Sequence, residues 1–403
     1  MNRPLLVLLL LASIAPALAA QKFTDLAPTP PMGWNSWNVF RCDIDEAKIR
    51  GMADAMVQSG MRDVGYEYLI IDDCWQGERD SLGRLTADPA KFPSGMRALA
   101  EYVHARGLKF GIYSDAGDRT CGGYPGSRGH EYQDARTFAS WGVDYLKYDW
   151  CYVHEEQSAE ASYHLMSQAL RAAGRPVILS ICEWGSNQPG EWAAPIGHLW
   201  RTTVDIVDCY DCETNWGGLG VLQIIDRQLP LRLDAGPHAW NDPDMLEIGN
   251  EGLSLAECRT QMSMWAMLAA PLLAGNDLRT MTPAIRDVLT NPAVIAIDQD
   301  SLGQGALKFL DYGDREIWFR PLTGGDYAFC FLNRSAEPWT VDHVLSSEGV
   351  FDLAAGRKFY PIRPGRPVRD LWTGQELPNT DVPLDRTIQG HDVLLVRVTN
   401  GGD

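Results

Sequence analysis

The chain has 403 residues, with 53 acidic against 35 basic and a formal net charge of −18. A surface this acidic repels phosphate backbones and anionic lipid, which excludes nucleic acid and membranes as expected partners. A chain of this length outgrows a single core, so one large domain and a smaller one are expected.

The N-terminus carries Arg3, an apolar run at 5–11 and the small-residue triplet Ala17-Leu18-Ala19. These are the three parts of a secretory signal peptide over 1–19, and the run is too short to span a bilayer. The protein is therefore expected to be exported, secreted or periplasmic. Nine cysteines in an exported chain imply disulfides and at least one thiol outside any intramolecular pair. Cys209 and Cys212 form a C-x-x-C with no second pair and no histidine spacing beside it, and the eight histidines make neither H-x-H nor H-E-x-x-H. The expectation is no metal and no cofactor.

From residue 31 onward, runs that read as buried strands end in polar or aromatic residues. MGWNSW ends at Trp37, YEYLIIDDCW carries Asp72 and Asp73, KFGIYSDAG carries Tyr113, and VDYLKYDWC carries Lys147, Asp149 and Cys151. PVILSICEW ends in Glu183 and Trp184, HLWRTTVDI carries Arg201 and Asp205, AWNDPDML carries Asp242 and Asp244, and APLLAGND ends at Asp277. Helical apolar spacing lies between them, as at 47–59, 96–105, 132–140 and 163–172. Strand then helix, repeated eight times, predicts an α/β fold, a (β/α)8 TIM barrel over 20–302. Such barrels place their chemistry at the carboxyl ends of the strands, where this sequence concentrates carboxylates and tryptophans. From 303 to 403 the runs REIWFRPL, DYAFCFLN, VFDLAA and HDVLLVRV alternate between Gly, Pro and Asp, which predicts a C-terminal antiparallel β-sandwich with no site of its own.

In VDYLKYDWC, period-two alternation points Lys147, Asp149 and Cys151 to one face. Charges leaving a buried strand together are costly unless they are used. Two carboxylates across a sugar bond hydrolyse it without a cofactor, and the candidates are Asp72, Asp73, Asp149, Glu183, Asp205, Asp242 and Asp244. Lys147 beside Asp149 predicts a lowered pKa and an ionised nucleophile. The apolar neighbours Val204 and Ile206 predict a raised pKa at Asp205, suited to a proton donor. Arg201 reads as a clamp for hydroxyls or a carboxylate. Chemistry alone leaves the choice of pair open.

PPMGWNSW, YLIIDDCW, GIYSDAGDRTCGGYPGS, YLKYDWC, CEWG, WRTTVDI, WNDPDML and GNDLR resemble, in order over 27–300, the barrel motifs of glycoside hydrolase family 27. This is the α-galactosidase and α-N-acetylgalactosaminidase family. The resemblance implies retaining double displacement with Asp149 as nucleophile and Asp205 as acid/base. It implies that Asp72, Asp73 and Lys147 hold galactose hydroxyls, that Trp37 stacks on the sugar with Tyr113 beside it, and that Arg201 and Glu183 lie near the 2-hydroxyl. Asp244 would sit near the acid/base, Cys121, Cys151 and Trp184 would complete the substrate-binding set, and Asp242 is expected in a loop turn.

The resemblance also implies disulfides Cys42–Cys74 and Cys121–Cys151. Cys182 lacks the partner of animal relatives, where this chain has Gly197. The pairing of Cys182, Cys209, Cys212, Cys258 and Cys330 is left open, Cys209–Cys212 being a guess. Glu183 would fill the space an N-acetyl group needs, and the intact Asp72–Asp73 pair argues against arabinopyranose. The expected function is a secreted α-galactosidase acting on terminal α-D-galactosyl residues of oligo- or polysaccharides. The alternatives are β-L-arabinopyranosidase or α-N-acetylgalactosaminidase specificity, or a sugar-binding protein without catalysis. The sequence leaves open the natural galactoside and whether a homo-oligomer forms.

Overall fold

The computed structural model describes residues 22–400, and the signal peptide expected over 1–19 lies outside them. Eight short strands run parallel: β1 (Met32–Asn35), β2 (Tyr68–Ile70), β3 (Lys109–Asp115), β4 (Tyr145–Asp149), β5 (Ile178–Cys182), β6 (Leu199–Arg201), β7 (Trp240–Asp242) and β8 (Leu272–Ala274). They pair in the order β8-β1-β2-β3-β4-β5-β6-β7. Closure is made just after β7 by a single parallel bridge, Leu246 to Ala274, where the Leu246 amide donates to the Leu273 carbonyl at 2.8 Å.

Alternation along each strand divides two cores. Tyr68, Ile70, Tyr145, Ile178, Leu199, Trp240 and Leu273 pack inside the barrel, and their neighbours Leu69, Leu146, Leu179 and Trp200 face the helices. Gly33 permits the tight wall, since a Cβ there would stand 2.2 Å from the Tyr68 carbonyl oxygen. The next inward positions after the apolar plug are Lys147, Asp149, Arg201 and Asp242, which places the charged residues at the carboxyl end.

The outer layer contains α1 (Glu46–Gln58), α2 (Gly95–His104), α3 (Glu131–Trp141), α4 (Ala159–Ala173), α5 (Val221–Gln228), α6 (Leu255–Leu268), α7 (Pro283–Leu289) and α8 (Pro292–Asp298). In α1, Asp45 caps the start by accepting from the Lys48 amide, and Ile49, Met52, Ala53 and Met56 repeat at helical spacing to form the buried face. The expected eightfold helix repeat fails once. Between β5 and β6 there is only a 3-10 turn, Pro189–Glu191. Gly185, Pro189, Gly190 and Pro195 crowd that connection, and such residues oppose helix propagation.

The second domain is an antiparallel sheet of β9 (Leu307–Asp311), β10 (Arg315–Pro321), β11 (Tyr327–Asn333), β12 (Val368–Asp370), β13 (Glu376–Leu377) and β14 (Val393–Val398), ordered β9-β10-β11-β14-β12-β13. Phe319, Phe329, Phe331 and Val396 form one core with two short ribbons. Trp318, Cys330, Leu332 and Leu395 on the other face join the barrel's outer core. Helix α6 lies between the domains and is buried almost all round. Its Thr260 hydroxyl donates to the His391 carbonyl at 2.7 Å, and Arg259 pairs with Asp392. Among the described residues no helix is long and apolar enough to cross a membrane.

Candidate active site

Asp149 ends β4 and is only 5% exposed. Its Oδ2 accepts the Tyr113 hydroxyl at 2.9 Å and its Oδ1 accepts the Trp150 amide at 2.9 Å. Tyr113 reaches it from β3, where Tyr113 pairs with Lys147 and Asp115 with Asp149 in register. The Lys147 ammonium sits 2.8 Å from Asp72 Oδ2, and the same oxygen accepts from Asn35 Nδ2 at 2.8 Å. Asp73 Oδ2 accepts the Gly122 amide at 2.6 Å, which ties the end of β2 to the loop after β3. Trp37 is half-buried against the inner core, with the Arg41 guanidinium 5.3 Å from its ring centroid.

A second group is built on Arg201, which ends β6 and is buried. Its Nη2 lies 3.0 Å from Asp205 Oδ1 and 2.8 Å from Asp244 Oδ2. Asp244 holds a positive φ of 82°, strained for a residue with a Cβ. Its Oδ2 also accepts the Ile206 amide at 2.8 Å. Asp242 Oδ1 accepts the Asp244 amide at 2.9 Å, so Asp242 stabilises the turn. The Asp205 side chain is 43% exposed, in contrast to Asp149.

The two carboxyls titrate in the reverse of the order expected from their sequence neighbours. Burial pushes Asp149 up to about 6, opposed by Lys147 and reinforced by the Asp205 charge. Lys147 pulls it down, but burial and the Asp205 charge outweigh that pull. Burial also pushes Asp205 upward, but the Arg201 guanidinium, with Lys147 further off, outweighs it and leaves Asp205 below its ordinary value. Val204 and Ile206 flank Asp205 in the chain, but its carboxylate faces Arg201.

Glu183 also departs from expectation. Alternation along β5 turns Ile178, Ser180 and Cys182 inward, and Glu183 follows on the other side. Glu183 Oε2 accepts from the Asn187 amide at 2.5 Å and from Asn187 Nδ2 at 2.8 Å, within its own loop. The inward residue is Cys182, whose Sγ lies 3.8 Å from Arg201 Nη1. Trp184 follows, half-buried, at a positive φ of 61°.

Asp115 escaped the sequence reading, although period-two spacing from Tyr113 and the pairing of β3 with β4 put it beside Asp149. Its oxygens accept the Gly117 amide at 2.7 Å and the Cys151 amide at 3.0 Å. Burial first, then the Asp149 charge, push it up to about 9, so it carries a proton at neutral pH. Asn35, the partner of Asp72, was also missed; it lies two residues before Trp37 in MGWNSW.

Cys42 is bonded to Cys74, Cys121 to Cys151 and Cys209 to Cys212. Cys182, Cys258 and Cys330 are buried free thiols. Asp115, Cys121, Asp149 and Cys151 cluster within 4.8 Å, but both sulfurs are spent in the disulfide and cannot act as thiolate ligands. The Tyr113 hydroxyl lies 3.3 Å from Cys121 Sγ, so this bridge packs directly behind the Asp149 side chain's partner.

The family model for alpha galactosidase A matches residues 29–300, and that for the alpha galactosidase C-terminal beta sandwich domain matches 312–398. Alpha-galactosidase A of Cellvibrio japonicus is 52% identical over 384 residues, 94% of each chain. The crystal structure of alpha-galactosidase I from Mortierella vinacea superposes with a TM-score of 0.86 at 35% identity, covering 93% of this chain and 98% of that one. The Saccharomyces cerevisiae enzyme solved with raffinose gives 0.85 at 30% identity, covering 93% and 98%. An apolar-plugged barrel with paired carboxylates at its mouth, a β-sandwich behind it and these matches along both domains together place the chain in the α-galactosidase family of glycoside hydrolases.

Proposed function

We propose that the protein is a retaining α-galactosidase that removes terminal α-D-galactosyl residues, with Asp149 as nucleophile and Asp205 as acid/base. The observation that carries this is the asymmetry of the two carboxyls. Asp149 is buried and aimed by Tyr113, whereas Asp205 is half-open to solvent on the Arg201 clamp. A nucleophile must be fixed, and an acid/base must reach both a leaving group and a water.

Below about pH 6 the free pair holds a proton on Asp149, which burial and the Asp205 charge push up, while the Arg201 guanidinium keeps Asp205 ionised. A sugar covering Asp205 removes the water that supports its charge and raises its pKa. The proton then resides on Asp205 and Asp149 is ionised. Asp149 Oδ attacks C1 as Asp205 protonates the departing glycosidic oxygen, giving a glycosyl ester. Asp205, now a carboxylate, takes a proton from water, which attacks C1 and displaces Asp149, and galactose leaves with its configuration retained.

Asp72, Asp73 and Lys147 present a charged, hydrogen-bonded set suited to sugar hydroxyls, and Trp37 supplies a ring face. The 2-position is assigned to Cys182, whose Sγ lies beside Arg201, and to Trp184 two residues on, in place of Glu183. The signal-peptide pattern expected over 1–19 and the disulfides support export, secreted or periplasmic.

The test is Asp149→Gly. Turnover of nitrophenyl α-D-galactopyranoside should fall at least about 10³-fold, and added azide should restore release and yield the β-galactosyl azide. Undiminished turnover by this variant would reject Asp149 as nucleophile.

A further inference from the structure

The residues assigned above to the galactose come from one half of the barrel mouth. Asp72, Asp73, Tyr113, Lys147 and Asp149 stand on or just after β2, β3 and β4. The other half, from β6 through β7 and β8 to β1, carries Asp205 and a cavity of about 480 Å³, within the size range of ligand pockets. Arg41 lines it from the loop after β1, Val207 and Asp208 from the loop after β6, Glu247 and Glu251 from the loop after β7, and Asp277 from the loop after β8. The Arg41 charge is felt by Asp205, which it helps to hold below its ordinary value. The cavity therefore opens beside the acid/base carboxylate, on the half of the mouth that lies across from Asp149.

A tryptophan stands at its rim. Trp216 is 61% exposed and lies in the loop 206–219, which starts at the acid/base. Leu219 closes that loop twice: its amide donates to the Asp205 carbonyl at 3.0 Å, and its carbonyl accepts from the Val207 amide at 2.8 Å. At the tip, the Gly217 amide donates to the Thr214 carbonyl at 3.0 Å and the Gly218 amide to Thr214 Oγ1 at 2.8 Å. The Trp216 ring rests on Gly218, where a Cβ would stand 2.3 Å from ring Cη2 and 2.8 Å from Val207 Cγ1. The ring is thus fixed beside Val207, a wall of the cavity, and remains open to solvent. A ring already held by a tight turn loses little freedom when another ring lies on it. Arg41 is exposed as well and enters no ion pair among the described residues. Its guanidinium lies 5.3 Å from the Trp37 ring centroid, between the sugar platform and the acid/base, with its donors unspent.

We propose that this cavity and Trp216 form the leaving-group subsite, which takes a second hexopyranose, its ring against Trp216 and its hydroxyls accepting from Arg41. The inference rests on Asp205 as acid/base and extends that reading to the class of substrate, galactosyl oligosaccharides. Asp208, Glu251 and Asp277 surround Arg41 with an excess of negative charge, which disfavours an anionic leaving group. A purely apolar one would strip water from the Arg41 guanidinium without replacing its hydrogen bonds. A neutral polyhydroxylated ring with one apolar face satisfies both. Binding energy gained there holds the glycosidic oxygen against Asp205 as the bond breaks, and so raises the rate as well as the affinity.

Two substrates with the same galactose test it. Melibiose has glucose as its leaving group, whereas α-galactosyl fluoride has a single atom that departs without a proton. Trp216→Ala should lower the melibiose-to-fluoride ratio of kcat/KM at least about tenfold through the melibiose value alone, and Trp216→Tyr should restore most of it. A ratio unmoved by Trp216→Ala, or an equal fall on both substrates, would overturn the proposal. A loss on octyl α-galactoside as large as that on melibiose would overturn the choice of a sugar. Failure of the underlying reading is seen separately, as wild-type protein that turns over neither substrate, and would take this inference with it.

Discussion

The Lys147 ammonium lies 2.8 Å from Asp72 Oδ2, although Asp149 is its nearer carboxylate in sequence. The pair is nearly buried, with side-chain exposures of 14% and 2%. Removing one partner of such a pair strands the other charge, at a cost of roughly 3–5 kcal/mol. Lys147→Met should therefore lower the thermal midpoint by several degrees and cut kcat/KM at least about 100-fold, because Asp72 loses its orientation toward the sugar. Calorimetry and steady-state kinetics on one preparation check both.

Tyr113→Phe tests how Asp149 is aimed. The lost hydrogen bond goes to a charged group and should reduce kcat by about 10–100-fold. The pH profile separates aiming from bulk damage. The working form of the pair holds one proton, and it is lost as pH rises through the Asp149 value near 6, so kcat/KM falls above about pH 6. The Tyr113 hydroxyl favours the ionised Asp149, so the phenylalanine variant should shift that limb to higher pH. An unmoved limb would show that Tyr113 only packs.

Opening the Cys121–Cys151 bridge, which spans 30 residues, should destabilise the fold by about 3–4 kcal/mol. The Tyr113 hydroxyl rests on Cys121 Sγ and the Cys151 amide on Asp115, so activity should fall more than stability explains. Cys121→Ser/Cys151→Ser assayed well below its melting temperature separates the two effects. The Cys209–Cys212 bridge, which closes only three residues and holds none of these groups, should be far less costly to open.

Buried carboxyls set the direction of the stability profile. Asp115 is pushed up to about 9 and Glu247 to about 8, chiefly by burial. Their folded values lie above their unfolded ones, so the stability they add is complete below about pH 4 and is lost as pH rises through 8 to 9. The melting temperature should fall from mildly acid to alkaline buffer. Glu247→Gln, which cannot ionise, should flatten that slope.

Much of this arrangement was legible because period two acts locally. It set Lys147 beside Asp149 on one face and marked the strand ends as the place for chemistry. The same rule would have found Asp115 from Tyr113, and Cys182 from Ile178, had it been carried along each strand. The charge partners were not legible. Lys147 and Asp72 are 75 residues apart, and only barrel closure decides which carboxylate the ammonium meets. The reversed titration of Asp149 and Asp205 was not legible either, since it comes from the burial of Asp149 and the Arg201 contact of Asp205, and sequence neighbours report neither. The missing helix before β6 was written in Gly185, Pro189, Gly190 and Pro195, but the strength of the repeat on either side concealed it.

The most direct measurement is release of nitrophenol from the α-D-galactopyranoside, run beside the α-N-acetylgalactosaminide and the β-L-arabinopyranoside. The account predicts turnover of the galactoside at least about 100-fold above the other two, as expected where a fitted polar site rejects mismatched groups. Preference for the acetylated sugar would contradict the assignment of Trp184 and Cys182 to the 2-position. No release from any of the three by folded protein would contradict the central claim that Asp149 and Asp205 cleave α-galactosides.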